Sequence, residues 1–325
     1  MIIEDVSFPA GRHCETTTLG ALLRHEGLTL SEPMLFGLGE GLGFVYWDAK
    51  NLDFPFLGGR TKPTTITRTA ASRLGLALRV QETSSPRRAW QNVVSALDAG
   101  RPVGLQLDSY HLDHFTTKVH FGGHFVAIRG YDDTHAHLID TAQQGGQVTT
   151  TLASLERARS ERGPMTARNL SYTVARLPGE PDLAAAVRTA VRNNARAFLD
   201  PPIANLGHRG VDKAARQVTR WLDRSDDPAH DLPLAATLME RGGTGGSLFR
   251  ALYRDFLAEC ATIVDDDAIH VAHQRYAEIA PLWTEVARHI TTAGETGDQD
   301  HLDQASAILT DLADRERRAM RALAG

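Results

Sequence analysis

Cysteine is scarce in this chain: only Cys14 and Cys260 occur among 325 residues. Two thiols, and a start Met-Ile-Ile-Glu-Asp-Val without the basic and apolar regions of an export signal, argue against a disulfide-stapled scaffold. Reduced thiols and a cytoplasmic location are the expectation. Long apolar runs are missing as well. None approaches the ~20 residues a bilayer span needs, so no membrane partner is expected. The net charge is -5 with both signs interspersed, and no Lys/Arg block is dense enough to track phosphates, which argues against nucleic acid as a partner. There is no repeat of solenoid period. What is present is an ordinary globular composition, 42% hydrophobic and 23% charged, long enough to bury two cores.

Periodicity divides the chain into halves. In the first, Leu19, Leu22 and Leu23 mark a helix over 14–26 that stops at Gly27, and Ser31-Glu32-Pro33 reads as the cap and first turn of another. Further helices are predicted from Ile66 to Leu74 and from the Ser85-Pro86 cap through Trp90, Val93, Val94 and Leu97. Strands are predicted at 44–47, 76–81, 103–107, 124–131, 135–141 and 170–177, forming a mainly antiparallel sheet. Leu177-Pro-Gly-Glu-Pro-Asp182 is a compositional break. Beyond it helical spacing dominates, so the predicted domains are 1–179 and 180–325, the second all-helical.

Cys14 lies in Gly-Arg-His-Cys-Glu-Thr-Thr-Thr (11 to 18), where a Gly lead-in delivers a thiol to the first turn of a helix. The positive end of the helix dipole and the unpaired amides there favour an anion. His124, in Gly-Gly-His-Phe-Val, and Asp140, in His-Leu-Ile-Asp-Thr, follow on what read as neighbouring strands. A thiol nucleophile needs a base and a group that orients the base, and these residues supply both roles. If Asp132, Asp133 and Thr134 form a three-residue hairpin loop, residue i lies opposite residue 266 minus i. His124 and Asp140 are then diagonal neighbours ~7 Å apart on one face. A two-residue loop would place them on opposite faces unless a bulge restored the register.

Other chemistry-bearing residues point elsewhere. Cys260 shares a helical stripe with Phe249, Leu252, Tyr253, Phe256 and Ile263 and reads as core. The glycines at 37, 39, 41 and 43 match neither dinucleotide nor P-loop spacing, and mark a tight turn or close backbone contact that could wall the cleft. Gly242-Gly-Thr-Gly-Gly246 precedes a helix and reads as a linker rather than an anion site. His111, His114, His120 and His124 are numerous enough to suggest a metal, yet lack a His-Glu-x-x-His pattern. Most of them are read as loop or cleft-wall residues, with no metal assigned.

His13-Cys14-Glu15, the segment Leu30-Ser-Glu-Pro-Met-Leu-Phe-Gly-Leu-Gly39, and Gly-His-Phe at 123–125 with Gly-Tyr-Asp and the strand ending in Asp140 together resemble the butirosin biosynthesis protein H family. The resemblance covers roughly residues 10–145, and the helical half resembles the domain of unknown function that accompanies it. It implies an α+β chain, a papain-like cysteine-enzyme domain with a mainly antiparallel sheet followed by an all-α helical domain. The activity implied is acyl transfer from a carrier-protein thioester to an amine through an acyl-cysteine.

On this reading Cys14 is the nucleophile, His124 the base and Asp140 the orienter, while His13, Glu15, Glu32 and Gly123 are candidates for the oxyanion hole or cleft. Papain-like proteases commonly carry a Gln shortly before the nucleophile. Ser7 to His13 contains none, so the Cys14 amide is one donor and the second is unassigned. The enzyme itself is expected to bind no cofactor. Phosphopantetheine on an acyl carrier protein would bring the acyl group, and a small-molecule amine, or an amine within the acyl chain, would accept it. A homo-oligomer is compatible with the sequence but not specified by it. The rivals are a cysteine hydrolase, peptidase or thioesterase, with the same triad, and a catalytically silent binding protein on the same fold.

Overall fold

The computed structural model describes residues 1–49, 52, 54–116, 118–163 and 165–325. From the N-terminus the elements are α1 (Cys14–His25), α2 (Glu32–Leu38), β1 (Leu42–Trp47), β2 (Phe56–Arg60), α3 (Thr65–Arg73) and β3 (Leu76–Gln81). Then come α4 (Pro86–Leu97), β4 (Val103–Leu107), β5 (His124–Tyr131), β6 (His135–Ile139), β7 (Gln147–Thr151), α5 (Leu152–Ser160) and β8 (Ser171–Arg176). The remainder is helical: α6 (Leu183–Leu199), α7 (Gly207–Val218), α8 (Trp221–Arg224), α9 (Pro228–Arg241), α10 (Arg250–Ile263), α11 (Asp267–Thr296) and α12 (Gln299–Ala324). The chain is therefore α+β, an antiparallel sheet region followed by a helical one. No helix among the described residues is long and apolar enough to cross a membrane.

The backbone forms two compact units, Met1–Leu35 with Pro63–Pro181, and Phe36–Lys62 with Asp182–Gly325. Residues 36–62, expected in the first domain, cluster with the second unit. Their β1–β2 hairpin is too small to bury its own apolar side chains. It finds cover there: the Phe44 ring meets Trp283 at 5.5 Å between centroids, and Asn194 Nδ2 donates to the Leu42 carbonyl at 2.7 Å.

In the first unit six strands run in the order β3-β8-β4-β5-β6-β7, every adjacent pair antiparallel. Val103, Leu105 and Leu107 of β4, Val126 and Ile128 of β5 and Leu138 of β6 share a core with Val93 and Leu97 of α4 and Leu155 of α5. The intervening Phe125, Ala127 and Ile139 are buried too, so the central strands are covered on both faces. α1 packs against β5. Ser85 caps α4 as predicted, accepting from Arg88 N at 3.3 Å, with Pro86 in the first turn. Missed by the periodicity are β2, β7 and α5, all short.

In the second unit α11 and α12 form the long antiparallel pair around which α7, α9 and α10 pack. Cys260 is fully buried on α10, as its stripe predicts. Gly37 lets its helix lie against the Phe256 ring, where a Cβ would come within 2.1 Å. The glycine run thus serves close packing in this unit. The run at 242–246 is ordered by Thr244 Oγ1 donating to Met239 O at 2.8 Å, and the anion it faces is internal, since Glu240 Oε1 accepts from Ser247 N at 3.1 Å.

Candidate active site

Cys14, the candidate nucleophile, is held by a lead-in bolted on two sides. Gly11 has no alternative, because a Cβ there would lie 2.1 Å from Thr17 Oγ1, and its carbonyl accepts from Ala142 N at 2.8 Å. That bond ties the segment entering Cys14 to the segment leaving Asp140. His13 is the N-cap of α1, its ring accepting from Thr16 N at 3.4 Å. Glu32 gathers the rest: its carboxylate accepts from Arg12 N at 2.9 and 3.0 Å, His13 N at 2.8 Å and Thr16 Oγ1 at 2.9 Å. Burial pushes the Glu32 carboxyl above its ordinary value, although these bonds and the Arg12 charge pull the other way.

Glu15, one residue beyond the thiol, accepts from Thr67 N and Thr67 Oγ1 at 2.9 Å each and from Thr64 N at 3.3 Å. It thereby caps α3 from outside, where Thr64 itself makes no side-chain cap bond. These bonds show what three residues expected at the oxyanion hole or cleft hold in the structure. The His13 amide is already spent on Glu32, and the carboxylates of Glu15 and Glu32 satisfy helix starts. Gly123 is buried immediately ahead of His124. Glu32→Ala is expected to cost about 3 kcal/mol, since it strands several buried donors at once. Urea denaturation measures it, and a loss below about 1 kcal/mol would show those donors to be satisfied without it.

The register that brings His124 to Asp140 has an unexpected origin. Ala127 pairs with Ile139 and Ile128 with Leu138, as a three-residue loop requires, but nearer the turn Gly130 pairs with His137 and Tyr131 with Ala136. Asp132 N donates to His135 O at 2.9 Å, so Asp133 and Thr134 are a two-residue turn. The offset between Ile128 and Gly130 makes Arg129 the extra residue of a bulge, and that bulge restores the shared face. The N-terminal segment fixes it there, with Ile3 N donating to Arg129 O at 2.9 Å and Ile2 bridging Gly130.

His124 Nε2 lies 2.9 Å from Asp140 Oδ2 and 3.1 Å from Oδ1, and its side chain also hydrogen-bonds that of Cys14. With Nε2 committed to the carboxylate, Nδ1 is the nitrogen left for the thiol. Burial alone would lower the His124 pKa, but the charges of Asp140 and Cys14 outweigh it and raise the value to about 10. Burial would raise that of Asp140. The charge of His124 and hydrogen bonds from His114, His124 and Thr141 N hold it well below the ordinary carboxylate range instead. The structure thus brings Cys14, His124 and Asp140 together, with a charged carboxylate holding the proton on His124.

The four neighbouring histidines separate into two groups. His114 joins His124 on Asp140, with Nε2 3.0 Å from Oδ2, a partnership that no spacing in the sequence reveals. His111, His120 and Glu161 bring one ligand atom each within 4.8 Å of one another. Both imidazoles already have carboxylate partners, His111 Nε2 at 2.5 Å from Glu161 Oε2 and His120 Nδ1 at 3.1 Å from Asp108 Oδ2.

A thiol at a helix start, followed in the chain by a strand histidine and by a carboxylate at the end of the next strand, is the arrangement of the papain-like cysteine enzymes. More than half of the chain matches one family model, that of a domain of unknown function (DUF4872), and the chain belongs to that family. Residues 13–141 match the family described as butirosin biosynthesis protein H, N-terminal, and residues 153–323 match a domain of unknown function (DUF4872). The second match takes in α5 and β8, which belong to the first compact unit. A solved structure from Bacillus anthracis, described as a C39-like peptidase, is 17% identical, over 55% of this chain and 94% of that one, at a TM-score of 0.35. No curated protein matches the chain.

Proposed function

We propose that the protein is a cysteine-dependent acyltransferase of natural-product biosynthesis, which takes an acyl group from a carrier-protein thioester and passes it to an amine. The observation that carries this reading is His124 lying between Cys14 and Asp140 in a stretch, residues 13–141, that matches the family described as butirosin biosynthesis protein H, N-terminal. The Cys14 thiolate attacks the thioester carbonyl, the bond from carbonyl carbon to pantetheine sulfur breaks, and His124 gives its proton to the departing thiol. The amine then attacks the acyl-cysteine, His124 takes the proton the amine loses, and Cys14 leaves as thiolate. Exchange between thioesters is nearly balanced in energy, so the protein has mainly to position the reactants and exclude water. Burial favours the exclusion of water, since Cys14 is 8% exposed, His124 6% and Asp140 1%.

Aminolysis is therefore expected to outcompete hydrolysis. With a cognate carrier thioester, adding the accepting amine should raise acyl consumption and give amide, while water alone gives turnover slower by about tenfold or more. Product partition at fixed enzyme and varied amine concentration measures this. Free acid that stays dominant across amines, or efficient peptide cleavage, would establish a hydrolase.

A further inference from the structure

We propose that His114 is a positioning residue of this site, holding the Asp140 carboxylate in the one orientation from which it can hold His124. The inference rests on the triad reading above and adds a fourth residue to it. Asp140 Oδ2 accepts from two imidazoles, His114 Nε2 at 3.0 Å and His124 Nε2 at 2.9 Å, while Oδ1 accepts from Thr141 N at 2.7 Å. A carboxylate with both oxygens engaged from three directions cannot swing about its terminal torsion, so the lone pair offered to His124 stays in place.

His114 is itself costly to place there. Its side chain is 10% exposed, and among the described residues its other nitrogen, Nδ1, is buried without a hydrogen-bond partner. An unpartnered buried ring nitrogen is unfavourable, and a phenyl ring would fill the same space without that cost. What a histidine adds is the N–H that meets Asp140.

The flanking residues hold it there. Asp113 Oδ2 accepts from Thr150 Oγ1 at 3.0 Å and from Thr151 N at 2.8 Å, which fastens the loop to β7. Phe115, on the other side, sets its ring edge-on to that of His124 with centroids 5.2 Å apart. Three consecutive residues thus anchor the loop, grip the carboxylate and wall the base. The ionisable groups meeting at His124 come from separate elements: Cys14 from α1, Asp140 from the end of β6, and His114, through Asp140, from the loop after β4.

The test is a pH titration of the His124 imidazole by NMR in the full-length protein with labelled histidine, the resonance being assigned with His124→Ala. It needs no substrate. The wild type is expected to hold its His124 proton to about pH 10. His114→Phe should lower that midpoint by about one pH unit or more, because a carboxylate free to turn holds the imidazolium less well. His114→Gln, which keeps an N–H for Asp140, should recover at least half of that change. An unmoved or raised midpoint in His114→Phe, or a Gln variant displaced as far as the Phe variant, would overturn the role of His114. A wild-type midpoint at the ordinary histidine value would overturn the pairing of His124 with Asp140 and the grip of His114 together. If the titrations behave as expected but carrier thioesters leave no acyl adduct on Cys14, the acyltransferase reading fails and the positioning role stands.

Discussion

Cys14→Ala is expected to abolish turnover and covalent acylation while leaving the protein folded. On the proposed mechanism Cys14 is the nucleophile, so its removal eliminates the acyl-enzyme path altogether, and losses on the order of 10⁴-fold or more accompany removal of such a group. The structural cost is small. Cys14 is the first residue of α1, and the lead-in is held by Glu32 and by the Gly11 carbonyl, neither of which involves the thiol. The chain carries its own control in Cys260, fully buried on α10, where burial pushes the thiol far above its ordinary value. Intact mass and peptide mapping after exposure to an acyl-carrier or short thioester substrate should place a single adduct on Cys14. An adduct on Cys260 alone, or turnover surviving in the alanine variant, would sink the assignment.

The parts of this site that could be read from the sequence are those written in local chemistry. Gly11, His13 and Cys14 announce a helix start, and the β-rich runs 76–81, 103–107 and 124–131 coincide with β3, β4 and β5. Asp140 could be found only through an assumed register. The hairpin reaches that register by another route, a two-residue turn compensated by the bulge at Arg129. No local signal marks the bulge, because what stabilises it is the Ile2–Ile3 segment arriving from more than 120 residues away, as in the bond from Ile3 N to Arg129 O.

The same reason hides the other long-range partnerships. Glu15 and Glu32 look like cleft residues by proximity to Cys14, yet their partners are Thr64 and Thr67 in one case and the N-terminal amides in the other. The β1–β2 hairpin precedes the compositional break but finds its core partner in Trp283. His114 is separated from Asp140 by 26 positions and a turn of the sheet. Its neighbours in the sequence give no sign of it.

Conformational stability is expected to have a plateau in mildly acidic solution and to fall on both sides of it. His124 binds its proton more tightly in the folded state than its ordinary value of 6.5, up to about 10. Its contribution is therefore complete below 6.5 and is lost as the pH rises toward 10, because the unfolded chain gives up a proton that the folded chain retains. Asp140 runs the other way. Its folded value lies below the ordinary 3.8, so its contribution is complete above 3.8 and is lost as the pH falls beneath it. Between 3.8 and 6.5 both halves of the pair contribute fully. A tenfold change in proton affinity corresponds to about 1.4 kcal/mol, and the rise from 6.5 to about 10 already includes the cost of burial, so a decline of roughly 4–5 kcal/mol is expected on the alkaline side. Denaturant midpoints across this range measure it, with Asp140→Asn as the control in which the alkaline decline should flatten because the charge that holds the His124 proton is gone. A wild-type protein that grows more stable from 6.5 toward 10, or an Asn variant with an undiminished decline, would show that His124 does not carry its proton on Asp140.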